Sequence, residues 1–193
     1  LLSFATIIYI NVSAQHTVDL QQKATTFYTK RQYDSALIVY QQIYQSIASQ
    51  KASVEKANIQ FFYARCLELT GKYKDALLMF RQAEKTYASI QLIDKKWITT
   101  QRIASLLDDI GEYNASIETS KLALAHYTQL KDSLQMAFVL HNMGFGYYHA
   151  GKIKEALDCH TKEILLLGDK DQPLLARAYN QLGNIWAVDL KDN

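Results

Sequence analysis

Apolar and small residues recur three and four positions apart in segments that each close on a turn. In the clearest of them Leu140, Met143, Gly144 and Tyr147 fall on one stripe of a helix. Gly151 follows, and a second segment opens with Ile153 and Ala156. The same order appears 40 positions earlier with Gly111 and Tyr113, 40 before that with Gly71, Tyr73 and Ala76, and again with Arg31, Tyr33 and Ala36. The pattern predicts pairs of antiparallel helices. Each first helix stops at a glycine, which enters the left-handed conformation without a side-chain penalty. Arg31 takes that place in the first copy, where left-handed geometry costs about 1 kcal/mol.

Small residues at matching places mark where paired helices cross most closely: Ala24, Ala64, Ala104, Gly144 and Gly183 on the first helix, and Ala36, Ala76, Ser116 and Ala156 on the second. Tyr33, Tyr73, Tyr113 and Ile153 open the second helix with a bulky side chain that packs over the hairpin. Tyr40, Phe80, Ser120 and His160 follow in one register. Ser120 and His160 are poor core residues, and predict looser packing or a polar neighbour.

The stretch "LHNMGFGYYHAGKIKEALDCH", with "YNQLGNIW" opening a further copy, resembles the tetratricopeptide repeat family over residues 17–193. The resemblance implies an all-α, right-handed α-solenoid of antiparallel helix pairs. It would hold about four and a half repeats, near 17–50, 54–90, 94–130, 134–168 and 172–193, the last incomplete. Two features depart from the family pattern. The period is 40 residues instead of 34, and the only proline is Pro173. Longer helices and longer connections such as "IQLIDKKW" and "LLGDKDQPLL" would absorb the difference, as in kinesin light chains and bacterial sensor proteins, which repeats of this length resemble. The last copy stops at Asn193, after its first helix. Leu182, Ile185 and Trp186 would then lack a partner helix, so more protein is expected to follow.

Composition narrows the partners. Lys and Arg number 21 against 19 Asp and Glu, a net charge of +2, which gives no electrostatic reason to expect a nucleic acid. Cys66 and Cys159 lie two copies apart, too far for a disulfide between stacked layers. They read as unpaired buried thiols, with a redox or metal role as the alternative. Residues 1–14, "LLSFATIIYINVSA", carry no charge, run apolar for about ten residues and close on Val12, Ser13 and Ala14. This stretch reads as a secretory signal peptide lacking its start, cleaved after Ala14. A buried first helix and an uncleaved membrane anchor remain the alternatives.

Catalytic, cofactor and metal motifs are not expected. "GFGYYH" lacks the third glycine and preceding strand of a dinucleotide fingerprint. His141 and His149 are eight residues apart, about 12 Å along a helix, too far to share an ion. Cys159 and His160 point about 100° apart, unsuited to a thiolate and its base. The sequon at Asn114 to Ser116 reads as chance.

First helices of the resembled family line a concave groove that accepts peptides or partner helices. The face left over after the core is assigned carries Phe61, Phe62, Arg65 and Leu69, then Gln101, Arg102, Ser105 and Asp109. Further on it carries His141, Asn142, Phe145, Tyr148 and His149, and finally Asn180, Gln181 and Asn184. Aromatic side chains mixed with arginine and amides suit a binding patch, although Phe61, Phe145 and Tyr148 could equally pack between repeats. Arg65 and Arg102 are expected to offer two guanidinium forks to one segment. The family's basic clamp for a C-terminal carboxylate is not reproduced. The sequence therefore predicts an exported, periplasmic module that binds a protein or peptide, with no cofactor and no catalysis. It would be the sensory input of a membrane-bound signalling protein whose membrane segment follows Asn193. A free-standing periplasmic or outer-membrane assembly scaffold is the alternative.

Overall fold

The computed structural model of the chain describes residues 4–168 and 171–189, with side chains described over 17–168 and 171–187. Leu1–Ser3 of the expected signal segment lie outside the described residues. Among the described residues every element is helical: α1 (Phe4–Thr29), α2 (Tyr33–Ile47), α3 (Val54–Leu69), α4 (Tyr73–Ser89), α5 (Ile93–Asp109), α6 (Tyr113–Leu130), α7 (Ser133–His149), α8 (Ile153–Leu167) and α9 (Gln172–Asp189). Odd-numbered helices are the first members of the pairs and even-numbered helices the second. α1 passes through Ala14 without a break. Among the described residues no helix is long and apolar enough to cross a membrane.

One backbone device makes all four hairpins. The amide of Gly71 donates to the carbonyl of Glu68 and that of Lys72 to Leu67, and the same pair of bonds recurs at Arg31 and Gln32, at Gly111 and Glu112, and at Gly151 and Lys152. This is the Schellman closure, which satisfies carbonyls otherwise left unpaired at a helix end. It sets φ at 76° for Gly71, 82° for Gly111 and 74° for Gly151, and Arg31 adopts 59° as its position predicts. The second helices α2, α4, α6 and α8 start straight from this turn and have no side-chain cap. First helices begin differently: Ser53, Asp132 and Asp171 accept from the amides of Lys56, Gln135 and Leu174. Each such cap contributes about 1 kcal/mol.

The stretch "IQLIDKKW" is not a long connection. α4 ends at Ser89 and α5 begins at Ile93, and the link closes as a further Schellman turn with Gln91 at φ 59°. Lys131 at φ 55° closes the link between α6 and α7 in the same way. The residues beyond the usual period therefore go into helices of 15 to 18 residues rather than into loops.

The chain forms two compact units, residues 1–96 and 97–193. In the first, Ala57, Ala83 and Tyr87 form a buried cluster against which Phe61 packs. In the second, Ala123, Tyr127, Val139, Leu140, Met143 and Cys159 form the core. The small-residue positions are buried as expected: Ala24, Ala36, Ala64, Ala76, Ala104, Ser116 and Ala156 are all at 0–1% exposure. Gly183 is the exception. It is exposed, and a side chain there would meet nothing within 4 Å. Its expected crossing partner, the second helix of the last copy, is not among the described residues. Cys66 and Cys159 are buried free thiols, and burial pushes each up to about 12, which keeps them protonated and unreactive.

Candidate functional site

Each unit has an open groove walled by its first helices. In the second unit, Ile98, Gln101, Arg102 and Ser105 of α5 face Leu134, Gln135 and Phe138 of α7 and Leu174 of α9, around about 410 Å³. Ile98 and Leu134 are exposed, at 40% and 43%. Gln101 donates from Nε2 to Oε1 of Gln135 at 3.0 Å, tying α5 to α7. That bond buries Gln101, so it belongs to the floor and does not stand free for a ligand. Arg102 lies on the wall, and Asp171 at the start of α9 adds a carboxylate to the rim.

In the first unit the groove lies among α1, α2 and α3, where Val18, Thr25, Tyr40, Ile59 and Phe62 line about 560 Å³. Phe62 stacks on Tyr40 at 6.1 Å and meets Tyr28 edge-on at 5.5 Å. Phe61 turns inward instead, edge-on to Phe80 at 5.5 Å, because consecutive helical residues point about 100° apart and only one can face the groove. Phe61 is thus a packing residue, and Phe62 takes the groove position. Arg65 is also engaged: its Nη1 donates to Glu68 Oε2 at 2.7 Å, one turn along its own helix. It lies in the first unit and Arg102 in the second.

Phe145 and Tyr148 gather around His149 at the end of α7. Their rings lie 4.2 Å and 5.3 Å from the imidazole, and Tyr113 stacks on it at 5.3 Å. Asn142 is half-buried on α7, and Asn180 and Asn184 are exposed on α9.

His141 departs furthest from its expected place. It is 5% exposed and faces α8, not the groove. Its Nδ1 lies 3.0 Å from Glu163 Oε1, and Nδ1 of His160 lies 2.9 Å from Glu163 Oε2. On its other side Nε2 of His141 lies 3.0 Å from Nη2 of Arg177 on α9. A guanidinium can only donate, so Nε2 accepts and the His141 proton sits on Nδ1, donated to Glu163. Burial pushes the Glu163 carboxyl up, but the hydrogen bonds from His141 and His160 outweigh it and hold the group below its ordinary value. The polar neighbour expected of His160 is therefore Glu163, three residues on along the same helix. Ser120 is buried at 2% exposure. Sequence reading rejected His141 and His149 as a shared ion site, placed His141 in the groove and missed this cluster. The signal that could have found it is His160 followed by Glu163 at i,i+3, which places both on one face of α8.

No protein-family model matches the chain, and no curated protein matches it. Solved structures do. The apo form of RapI superposes with a TM-score of 0.81 at 16% identity, covering 97% of this chain and 54% of that one. A Rap protein complexed with competence and sporulation factor gives 0.70 at 19% identity, covering 88% and 48%. A putative kinesin light chain from Podosopora anserina with nearly identical TPR-like repeats gives 0.70 at 15% identity, covering 92% and 97%. The chain spans about half the length of the two Rap proteins. At these identities the likeness shows the fold alone, which is that of a tetratricopeptide-like helical repeat array.

Proposed function

We propose that the chain is a protein-interaction module that takes an extended segment of a partner protein or peptide against its first helices, and that it acts by binding rather than by catalysis. The observation that carries this reading is the groove of the second unit. Ile98 and Leu134 are apolar and exposed on its walls, and Arg102 and Asp171 give polar contacts at its edge. Exposed apolar side chains in a concave surface rimmed by charge suit a segment that buries a few side chains and pairs its backbone at the rim. A neighbour of the same fold, the Rap protein, is known in complex with competence and sporulation factor. The uncharged apolar stretch over residues 1–14 supports export, and with it a role as the sensory-input part of a membrane-bound bacterial signalling protein.

Affinity capture with the whole chain tests the reading. The double variant Ile98→Asp plus Leu134→Asp should lose the partner that the wild type retains, while Leu165→Asp on α8, where the side chain is 77% exposed, should keep it. Loss with Leu165→Asp and retention with the groove variant would place the interface on the second helices.

A further inference from the structure

We propose that His141, His160 and Glu163 form a binding site for a divalent transition-metal ion, with zinc the best chemical match. Two imidazoles and one carboxylate are a donor set suited to Zn²⁺, with a fourth position left for water. The spacing fits. Zinc bonds of about 2.0–2.2 Å in tetrahedral geometry put neighbouring donor atoms about 3.3 Å apart. Here the nitrogen-to-oxygen separations are 2.9, 3.0 and 3.3 Å, and one donor atom from each residue lies within 4.8 Å of the others. All three side chains are buried, at 6%, 1% and 0% exposure for His141, His160 and Glu163.

The two histidines differ in readiness. Nδ1 of His160 donates to Glu163 in the ion-free chain, but its Nε2 is buried without a hydrogen-bond partner, so no second contact opposes moving that proton to Nε2 and freeing the Nδ1 lone pair for the ion. His141 holds the same tautomer, but a second contact fixes it. Arg177 requires a lone pair on Nε2, which places the proton on Nδ1, the atom a metal would need. Ion binding at Nδ1 moves the His141 proton to Nε2, where it would face a donor, so Arg177 must let go. Arg177 is exposed and can swing into solvent. The guanidinium is therefore a gate: it holds the ion-free cluster together and is displaced when the ion arrives.

The test is titration of the chelator-treated whole chain with Co²⁺, followed by visible absorption. The expected result is one equivalent of tetrahedral d–d absorption, displaced by Zn²⁺, with no thiolate charge-transfer band from the neighbouring Cys159. Glu163→Gln and His160→Asn should abolish it. Arg177→Gln, a change at an exposed side chain that spares the core, should tighten binding about tenfold, the scale on which partners of metal-binding histidines act. Absence of the d–d band in the wild type, its persistence in both Glu163→Gln and His160→Asn, or an Arg177→Gln affinity no tighter than that of the wild type would each overturn the site as assigned.

Discussion

The imidazole of His160 rests against the backbone of Gly144: a Cβ at 144 would stand 2.6 Å from Nε2 and 2.7 Å from Cε1. A contact that short is not tolerated by any real side chain. Nor can His160 retreat cheaply, since its other nitrogen is bonded to Glu163. Gly144→Ala should therefore destabilise the chain by about 1–3 kcal/mol, the usual cost of overpacking. In a His160→Ser background the same change should cost much less, because the obstructing ring is gone. Thermal melts of the four proteins check this, and equal losses in both backgrounds would mean that the ring is not what excludes the methyl group.

Arg31 makes the opposite kind of prediction. It holds a turn that three glycines hold elsewhere, at φ 59°. Arg31→Gly should remove the left-handed penalty and stabilise the chain by about 0.5–1 kcal/mol, after allowance for the greater freedom of glycine in the unfolded state. Denaturant unfolding is the measurement, with a higher midpoint and an unchanged slope expected.

Asp108 on α5 is 7% exposed and its Oδ1 has no hydrogen-bond partner. Burial pushes its carboxyl up to about 7, aided by the charge of Asp109 and opposed by Ser116. The unfolded chain releases this proton near the ordinary value of 3.8, while the folded chain holds it to about 7. Asp108 therefore imposes no penalty below about pH 4, a growing one as pH rises from there, and its full penalty above about 7. Asp108→Asn should flatten that part of the stability profile and stabilise the chain by about 1–2 kcal/mol at pH 8. Unfolding midpoints at pH 4, 6 and 8 give the comparison, and a variant that gains nothing at pH 8 would contradict it.

What the sequence showed and what it hid follow from where the information lies. Hairpin turns were legible because a left-handed position favours glycine, and Gly71, Gly111 and Gly151 repeat at a fixed interval; Arg31 was found by register alone. The turns at Gln91 and Lys131 carry no such residue, so "IQLIDKKW" read as loop although most of it is helix. Helix crossings were legible because closeness demands small residues. Choosing between Phe61 and Phe62 needs the position of the next helix to within a fraction of a turn, which periodicity does not fix. His141 escaped for a similar reason: its partners Glu163 and Arg177 lie 22 and 36 residues away, on two other helices.

Export is checked by the mass of the mature N-terminus. With the protein made from its full gene in a bacterium that secretes proteins, cleavage between Ala14 and Gln15 should leave a chain beginning at Gln15, with α1 shortened to its remaining residues. A soluble cytoplasmic product that retains Leu1 would remove the localisation and, with it, the sensory role.

Binding in the groove is tested most directly by site-specific photo-crosslinking in the native cell. A photoreactive residue placed at Leu134, on the groove wall, should give a discrete adduct with a partner, and the same residue at Leu165, on the exposed side of α8, should give none. An adduct at Leu165 with none at Leu134 would contradict the account, because the partner would then be held by the second helices.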